Sequence, residues 1–397
     1  MNTEVSSSAS QLRVFQLDFK RDSRWEDFVS SHPDALIYHH PDWLVALEEE
    51  YGQECIGLAC EDERGELRAV LPLFCTTGLP IRLGRNATGT RLSSLPRTPI
   101  AGPLALDQAA AQKITRHAVE LTRSRPGRQL EIKAQAAGLD TSVEELRCVP
   151  WRATYVEELP PAADGQAWVE FWERVRLPRN CGTCKGCRRL RFGNAKQHHR
   201  VNWAVNKATK LGLEVREADS ERDLAEWYDL YLKTMRHNAV PPRSYRFFVS
   251  LWSSMQPKGR LRLLVAEQRV RESKRMVAGS IVLKYGQTAF YAFTGCAPQD
   301  FSLHPHDLIQ IESIRDACKS GFRWYDLGEV TEDHHALAQF KTKWGGKPRP
   351  QYRYYYPSSV EEASPVGDRM VSLLRKIWRV LPPRTTQILG DVIYRYL

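Results

Sequence analysis

RLRLLVAEQRVRESKRMVAGSIVLKYGQTAFYAFTG, Arg260 to Gly295, reads as three strands separated by two polar turns. Its apolar runs are short and rich in β-branched and aromatic residues, which suits strands rather than helices. Downstream, HDLIQIESIRDACKSG (306–321) has helical spacing and ends on Gly321, where a helix C-cap belongs. The buried-looking strand FRWYDLG (Phe322–Gly328), the stretch HHALAQFKTKWGG (His334–Gly346) and the aromatic strand RPQYRYYYP (349–357) follow. Upstream stand a strand, LGLEVREA (211–218), and two helices. The first helix, ERDLAEWYDLYLKTMRH, turns Leu224, Trp227, Tyr228 and Tyr231 to one face, and the second is SYRFFVSLWSSM. The resulting order is β, α, α, β, β, β, α, β, α, β.

This is the order of the GNAT acyltransferase fold, and the first half repeats much of it. RVFQLD is a strand, HHPDWLVALEEEYG a helix, DQAAAQKITRHAVELTRS a helix, and LEIKAQ and WRATYVEEL strands. CIGLACEDERGELRAVLPL and RLLVAEQRVRESKRMVAGSIVL read as one hairpin written twice. The expectation is an α/β fold with mixed sheets, built from two tandem GNAT-like domains and a C-terminal amphipathic helical tail. The divisions expected are a disordered leader at 1–10, an N-terminal domain at 11–165, a C-terminal domain at 166–357 with a Cys-rich basic insertion at 178–195, and the tail at 358–397.

Composition narrows the class. With 42% hydrophobic and 26% charged residues the 397-residue chain is of soluble globular type, and its apolar runs fall short of the ~20 residues that span a bilayer. The beginning of the chain lacks the pattern of a signal peptide. Nine cysteines, an odd and scattered set, suit reduced thiols in the cytoplasm. Lys and Arg outnumber Asp and Glu by 57 to 47, which favours polyanionic partners.

The chain from about Asp34 onward resembles the FemABX-type branch of the GNAT superfamily. The likeness is carried by DALIYHHPDWLVAL, SSLPRTPIAGPL, NKATKLGLEV, HPHDLIQIESIRDACKSGFRWYDLG and FKTKWGG followed by YYYP. It implies an N-acyltransferase that moves an aminoacyl or acyl group onto an amine of a cell-envelope precursor, peptidoglycan or exopolysaccharide. It implies that Lys341 stabilises charge on the acyl donor, where an ammonium in a water-poor site acts most strongly. Asp326 would hold Lys341 or take the amine's proton. Phe340, Trp344 and Tyr291 would shape the pocket, with Arg200 and His306 as further substrate-binding candidates; Arg200 stands out of the family's register. The donor is either aminoacyl-tRNA or acyl-CoA, no further cofactor is required, and tRNA is a candidate partner. The loop TGCAPQDFSLHPHD holds one glycine, against the glycine-rich pyrophosphate loop of the coenzyme A branch.

Two features stand outside this likeness. NCGTCKGCRRLRFG spaces Cys181, Cys184 and Cys187 as C-x-x-C-x-x-C, a candidate zinc site that shows three of the four ligands such a site needs. The other reading of this segment is a basic surface loop with free thiols. The segment also carries the alternative function, a nucleic-acid-binding protein with bound zinc. In the tail, Val366, Met370, Leu373, Leu374 and Ile377 share a face opposite Arg369, Arg375, Lys376 and Arg379. This helix either packs on the second domain or attaches the chain to the inner face of an anionic membrane.

Overall fold

The structure is a computed structural model, and it describes residues 11–77, 90–160, 195–270, 273–359 and 376–394. Each half folds around a mixed sheet, and the local sequence explains the elements. In the first half β1 (Arg13–Gln16), α1 (Arg24–Ser31) and α2 (Pro41–Tyr51) precede the hairpin of β2 (Cys55–Glu61) and β3 (Leu67–Thr77). Then come β4 (Thr90–Ser93), β5 (Leu104–Ala105), α3 (Gln108–Arg123), β6 (Gln129–Ala134), α4 (Leu139–Ser142), β7 (Arg147–Pro150) and β8 (Ala153–Glu158). Asp107 caps α3 by accepting from the Ala110 N–H, as short polar side chains do at helix starts.

The second half opens with α5 (Ala195–Lys210), β9 (Leu213–Glu217), α6 (Glu221–Asn238) and α7 (Tyr245–Met255). Ser220 caps α6, Glu221 and Asp223 sit in its first turn and Arg236 and His237 in its last, matching the helix dipole at both ends. β10 (Leu261–Val270), β11 (Ser273–Tyr285) and β12 (Thr288–Cys296) form the meander read from the sequence, with antiparallel pairing throughout. The chain continues through α8 (Pro305–Lys319), β13 (Trp324–Val330), α9 (His335–Lys343), β14 (Lys347–Arg349), β15 (Tyr352–Tyr356) and α10 (Pro383–Tyr394).

The sheets do not divide the chain at one point. The first runs β1-β2-β3-β4-β6-β15-β7 with β5 on β3, and the second runs β14-β8-β13-β12-β11-β10-β9. Strand β8, from the first half, pairs with β13 and β14 in the second sheet, while β15, near residue 355, pairs with β6 and β7 in the first. WRATYVEEL and RPQYRYYYP are therefore strands, as expected, but each completes the opposite sheet, and a division near residue 165 does not describe the sheets. In each sheet one internal pair is parallel: β4 with β6, and β12 with β13.

The halves also meet through side chains. Arg243 forms a buried ion pair with Glu50 of α2, and its guanidinium lies 4.3 Å from the Phe247 ring. Among the described residues no helix is long and apolar enough to cross a membrane. Of the tail's expected amphipathic face, Val366, Met370, Leu373 and Leu374 lie outside the described residues, whereas α10 packs beside α6.

Candidate active site

A cavity of about 750 Å³ opens between the two sheets. The first half contributes Asp34, Tyr38, Trp43, Arg97, Glu131 and Lys133, and the second half Phe290, Tyr291, Trp324, Asp326, Gly328 and Glu329. The exchanged strands and their approaches complete the wall with Trp151, Thr154, Gln351 and Arg353.

On the second-half side, parallel pairing of β12 with β13 ends where Phe290 faces Asp326. The Asp326 Oδ1 accepts from the Thr154 hydroxyl at 2.6 Å and from the Gly328 N–H at 2.7 Å. Burial pushes its carboxyl above the usual range, opposed by those two bonds and by Lys341 and Arg349. Gly328 has φ +83°, a conformation that favours glycine, and Lys341 Nζ lies 3.5 Å from where a Cβ on Gly328 would stand. Lys341 is buried, and its ammonium donates to the Glu329 carbonyl at 2.9 Å. Burial brings this amine down to about 8, against the pull of Asp326 and Glu329. Asp326 and Lys341, on successive elements β13 and α9, are thus brought together around Gly328. The glycine pair after the helix allows this closeness: a Cβ on Gly346 would stand 2.7 Å from Leu327 Cδ1 and 3.0 Å from the Lys341 carbonyl.

The other expected residues are placed differently. Phe340 packs against the second-half core with the Lys343 ammonium 4.6 Å from its ring, and Trp344 is fully buried in that core. Neither lines the cavity, and Lys341 itself lies behind the wall, against Gly328 and the Glu329 carbonyl. Tyr291 lines it, but its hydroxyl takes a bond from Ser280 Oγ at 2.7 Å and lies 3.4 Å from His306 Nδ1. Burial holds the His306 imidazole down at about 4, so it is a neutral partner of Tyr291. Arg200 is exposed on α5 and does not line the cavity. Cys181, Cys184 and Cys187 lie outside the described residues. Among the described residues no group of three or more His, Cys, Asp or Glu is placed to hold a metal ion.

The first-half wall holds a charged array that sequence reading missed. Glu131 lies 3.5 Å from Arg91 and 3.8 Å from Arg353, and Arg353 also lies 3.8 Å from Glu329. Burial alone would raise the Glu131 carboxyl, but Lys133, Arg353 and Arg91 hold it below its ordinary value. Lys133 donates to the carbonyls of Leu95 at 2.6 Å and Thr98 at 3.3 Å, and burial lowers its amine to about 7. The partial signal for this array was the pattern of charged residues inside apolar strands, LEIKA and QYRYYYP.

The acetyltransferase (GNAT) domain family matches residues 195–342, the segment that contains β12, α8, β13, Asp326 and Lys341. No curated protein matches the chain. Among solved structures, FemX is 13% identical and superposes with a TM-score of 0.60, over 86% of this chain and 96% of its own. A conserved Bacteroides thetaiotaomicron protein of unknown function is 9% identical, with a TM-score of 0.53 over 87% and 99%. A C-terminal domain from Agrobacterium fabrum, assigned to a lysylphosphatidylglycerol synthetase, is 12% identical, with a TM-score of 0.51 over 89% and 95%. At these identities the likeness is one of fold. Residues 195–342 thus carry an acetyltransferase (GNAT) domain, and the chain as a whole shares its fold with FemX.

Proposed function

We propose that the chain transfers an aminoacyl or acyl group to an amine of a cell-envelope precursor, with Asp326 and Lys341 at the reaction centre. The observation that carries this reading is the enclosed pair around Gly328, at the point where parallel pairing ends beside a cavity. The acceptor amine attacks the donor carbonyl, forming the C–N bond as the donor's C–O or C–S bond breaks. Charge that develops on the carbonyl oxygen is opposed by the Lys341 ammonium, whose burial strengthens the interaction. Thr154 and Gly328 both occupy Asp326 Oδ1, which leaves Oδ2 to take the amine's proton and return it to the leaving oxygen or sulfur.

Between donors, the geometry favours an aminoacyl ester over acyl-CoA. A helix N-terminus is the natural receiver of a pyrophosphate, but in α8 the first turn carries the buried Asp307 carboxylate, 2.5 Å from Lys343. A phosphate there would compete with this carboxylate for Lys343 and the helix N–H groups. The name of the Agrobacterium neighbour joins a lysyl group to a membrane lipid, which supports aminoacyl transfer at the envelope, although that lipid offers hydroxyls and no amine. The proposed location is the cytoplasm, at the inner face of the membrane where envelope precursors are assembled, with tRNA as the donor's carrier.

The reading is tested by offering labelled aminoacyl-tRNAs and an acyl-CoA panel with amine-bearing envelope precursors. Label should move from the charged tRNA. Transfer from acyl-CoA alone would overturn the donor assignment, and no transfer from either would overturn the proposed reaction.

A further inference from the structure

Four side chains of the cavity wall carry buried polar atoms with no hydrogen-bond partner within the protein: Trp151 Nε1, Glu329 Oε1, Gln351 Oε1, and Arg353 Nε and Nη1. They form one patch. The Trp151 backbone N–H donates to the Gln351 backbone carbonyl at 2.8 Å, the Arg353 guanidinium lies 4.7 Å from the Trp151 ring, and Arg353 Nη2 lies 3.8 Å from Glu329 Oε1. Gln351 and Arg353 are 2% and 5% exposed, so these groups are enclosed by the wall rather than left on the surface. A buried polar group without a partner costs about 1–3 kcal/mol, and several together mark a place where something else completes the bonding.

The donor and acceptor balance says what that is. The patch offers three donor atoms, Trp151 Nε1 with Arg353 Nε and Nη1, and two acceptors, Gln351 Oε1 and Glu329 Oε1. A phosphate or carboxylate brings no donor and would face Glu131 and Glu329, which flank Arg353 at 3.8 Å. An ammonium brings no acceptor. A peptide group brings one N–H and leaves one of the two acceptors unpaired. Two neighbouring hydroxyls bring two O–H donors and four lone pairs, enough for all five atoms.

We infer that this wall is a sugar subsite: Trp151, Glu329, Gln351 and Arg353 hold two adjacent hydroxyls of the acceptor, which is an amino sugar rather than a peptide amine. Glu329 joins the subsite to the reaction pair, because its backbone carbonyl holds the Lys341 ammonium at 2.9 Å. The assignment of the sugar as acceptor rests on the reading of Asp326 and Lys341 as the transfer site; the subsite itself does not.

The test is equilibrium binding to the full chain, followed by saturation-transfer NMR. The probes are methyl pyranosides, their 2-amino-2-deoxy and singly deoxygenated counterparts, a lysine-containing peptide and inorganic pyrophosphate. Amino-sugar glycosides should bind, and Gln351→Met and removal of one hydroxyl should each weaken them about tenfold, the effect of ~1.4 kcal/mol for one hydrogen bond. Lys341→Met should bind as the native chain does while losing transfer. Thermal melting of each variant separates loss of the site from loss of the fold, and Trp151→Phe supplies a second probe of the same patch. Glycoside binding that neither Gln351→Met nor Trp151→Phe weakens, preference for peptide or pyrophosphate, or no glycoside binding would overturn the subsite. Intact transfer by Lys341→Met would sink the reaction-centre reading and leave the subsite standing.

Discussion

Each half of the chain contains a parallel strand pair that separates beside a buried lysine, and the two halves use that gap differently. In the first sheet pairing of β4 with β6 ends where Ser93 faces Glu131, and the chain's own loop fills the space beyond. Ser94 N–H donates to the Glu131 carbonyl at 2.8 Å, Ala101 N–H to that of Lys133 at 3.2 Å, and the Lys133 ammonium binds the carbonyls of Leu95 and Thr98. Leu95 and Arg97 in this loop have φ of 64° and 50°, conformations that non-glycine residues adopt only when held. Arg243 does some of that holding, through a 2.7 Å bond to the Arg97 carbonyl. In the second sheet the gap beyond Phe290 and Asp326 also borders the cavity, and Gly328 gives Lys341 its approach from behind the wall. Both lysines thus sit by the cavity, Lys133 in its wall and Lys341 behind Gly328 and Glu329. Burial lowers both, but the first has its protons committed to two backbone carbonyls, and the second stands beside a carboxylate facing the cavity.

That contrast breaks or sharpens under substitution. Asp326→Asn removes the proton acceptor and should lower transfer by ~10²–10⁴-fold with little change in melting temperature, as steady-state kinetics and calorimetry on the same sample would show. Lys133→Met should act mainly on stability. It leaves the Leu95 and Thr98 carbonyls unpaired and should cost about 1–3 kcal/mol in denaturant unfolding, with a smaller loss of kcat in the folded fraction than Asp326→Asn shows. Equal kcat losses in the two variants would erase the distinction. Gly328→Ala forces a side chain into φ +83° and toward Lys341; a loss of roughly 1 kcal/mol in stability with a lower kcat is expected from unfolding and rate measurements.

Acid acts on stability rather than on the transfer step. Burial holds His39 and His306 at about 4, so between about 6.5 and 4 the unfolded chain binds protons that the folded chain does not. These two histidines therefore lower stability as pH drops through that window, by on the order of 1 kcal/mol per pH unit each, while Glu157, which burial raises to about 7, contributes with the opposite sign. A His39→Gln or His306→Gln variant whose urea midpoint keeps the native pH dependence between 6.5 and 4 would contradict this.

Much of the fold was legible because its hairpins are local. The Arg260–Gly295 meander and its first-half counterpart show their strands as short apolar runs, and Ser220 and Asp107 announce the helices that follow. The strand exchange was not legible. Alternation in WRATYVEEL and QYRYYYP fixes which residues face inward, but the same pattern serves either sheet. The site follows the same rule. Asp326 and Lys341 sit in recognisable stretches, YDLG and FKTKWGG, and the structure brings them together. Thr154 and Arg353 reach the cavity only because β8 and β15 change sheets, so no local pattern marks them. Phe340 and Trp344 were drawn into the site by adjacency to Lys341, although helix geometry and core packing turn them away from the cavity.

The most direct test of the account is the transfer rate of Lys341→Met, measured under single-turnover conditions with the fold checked by calorimetry. The account predicts a folded protein whose transfer step slows by ~10²–10³-fold, the usual effect of removing one group that opposes an oxyanion. It also predicts that in the native chain this step declines as pH rises through about 8, where Lys341 loses its proton. A folded Lys341→Met that transfers at the native rate would contradict the assignment of the site.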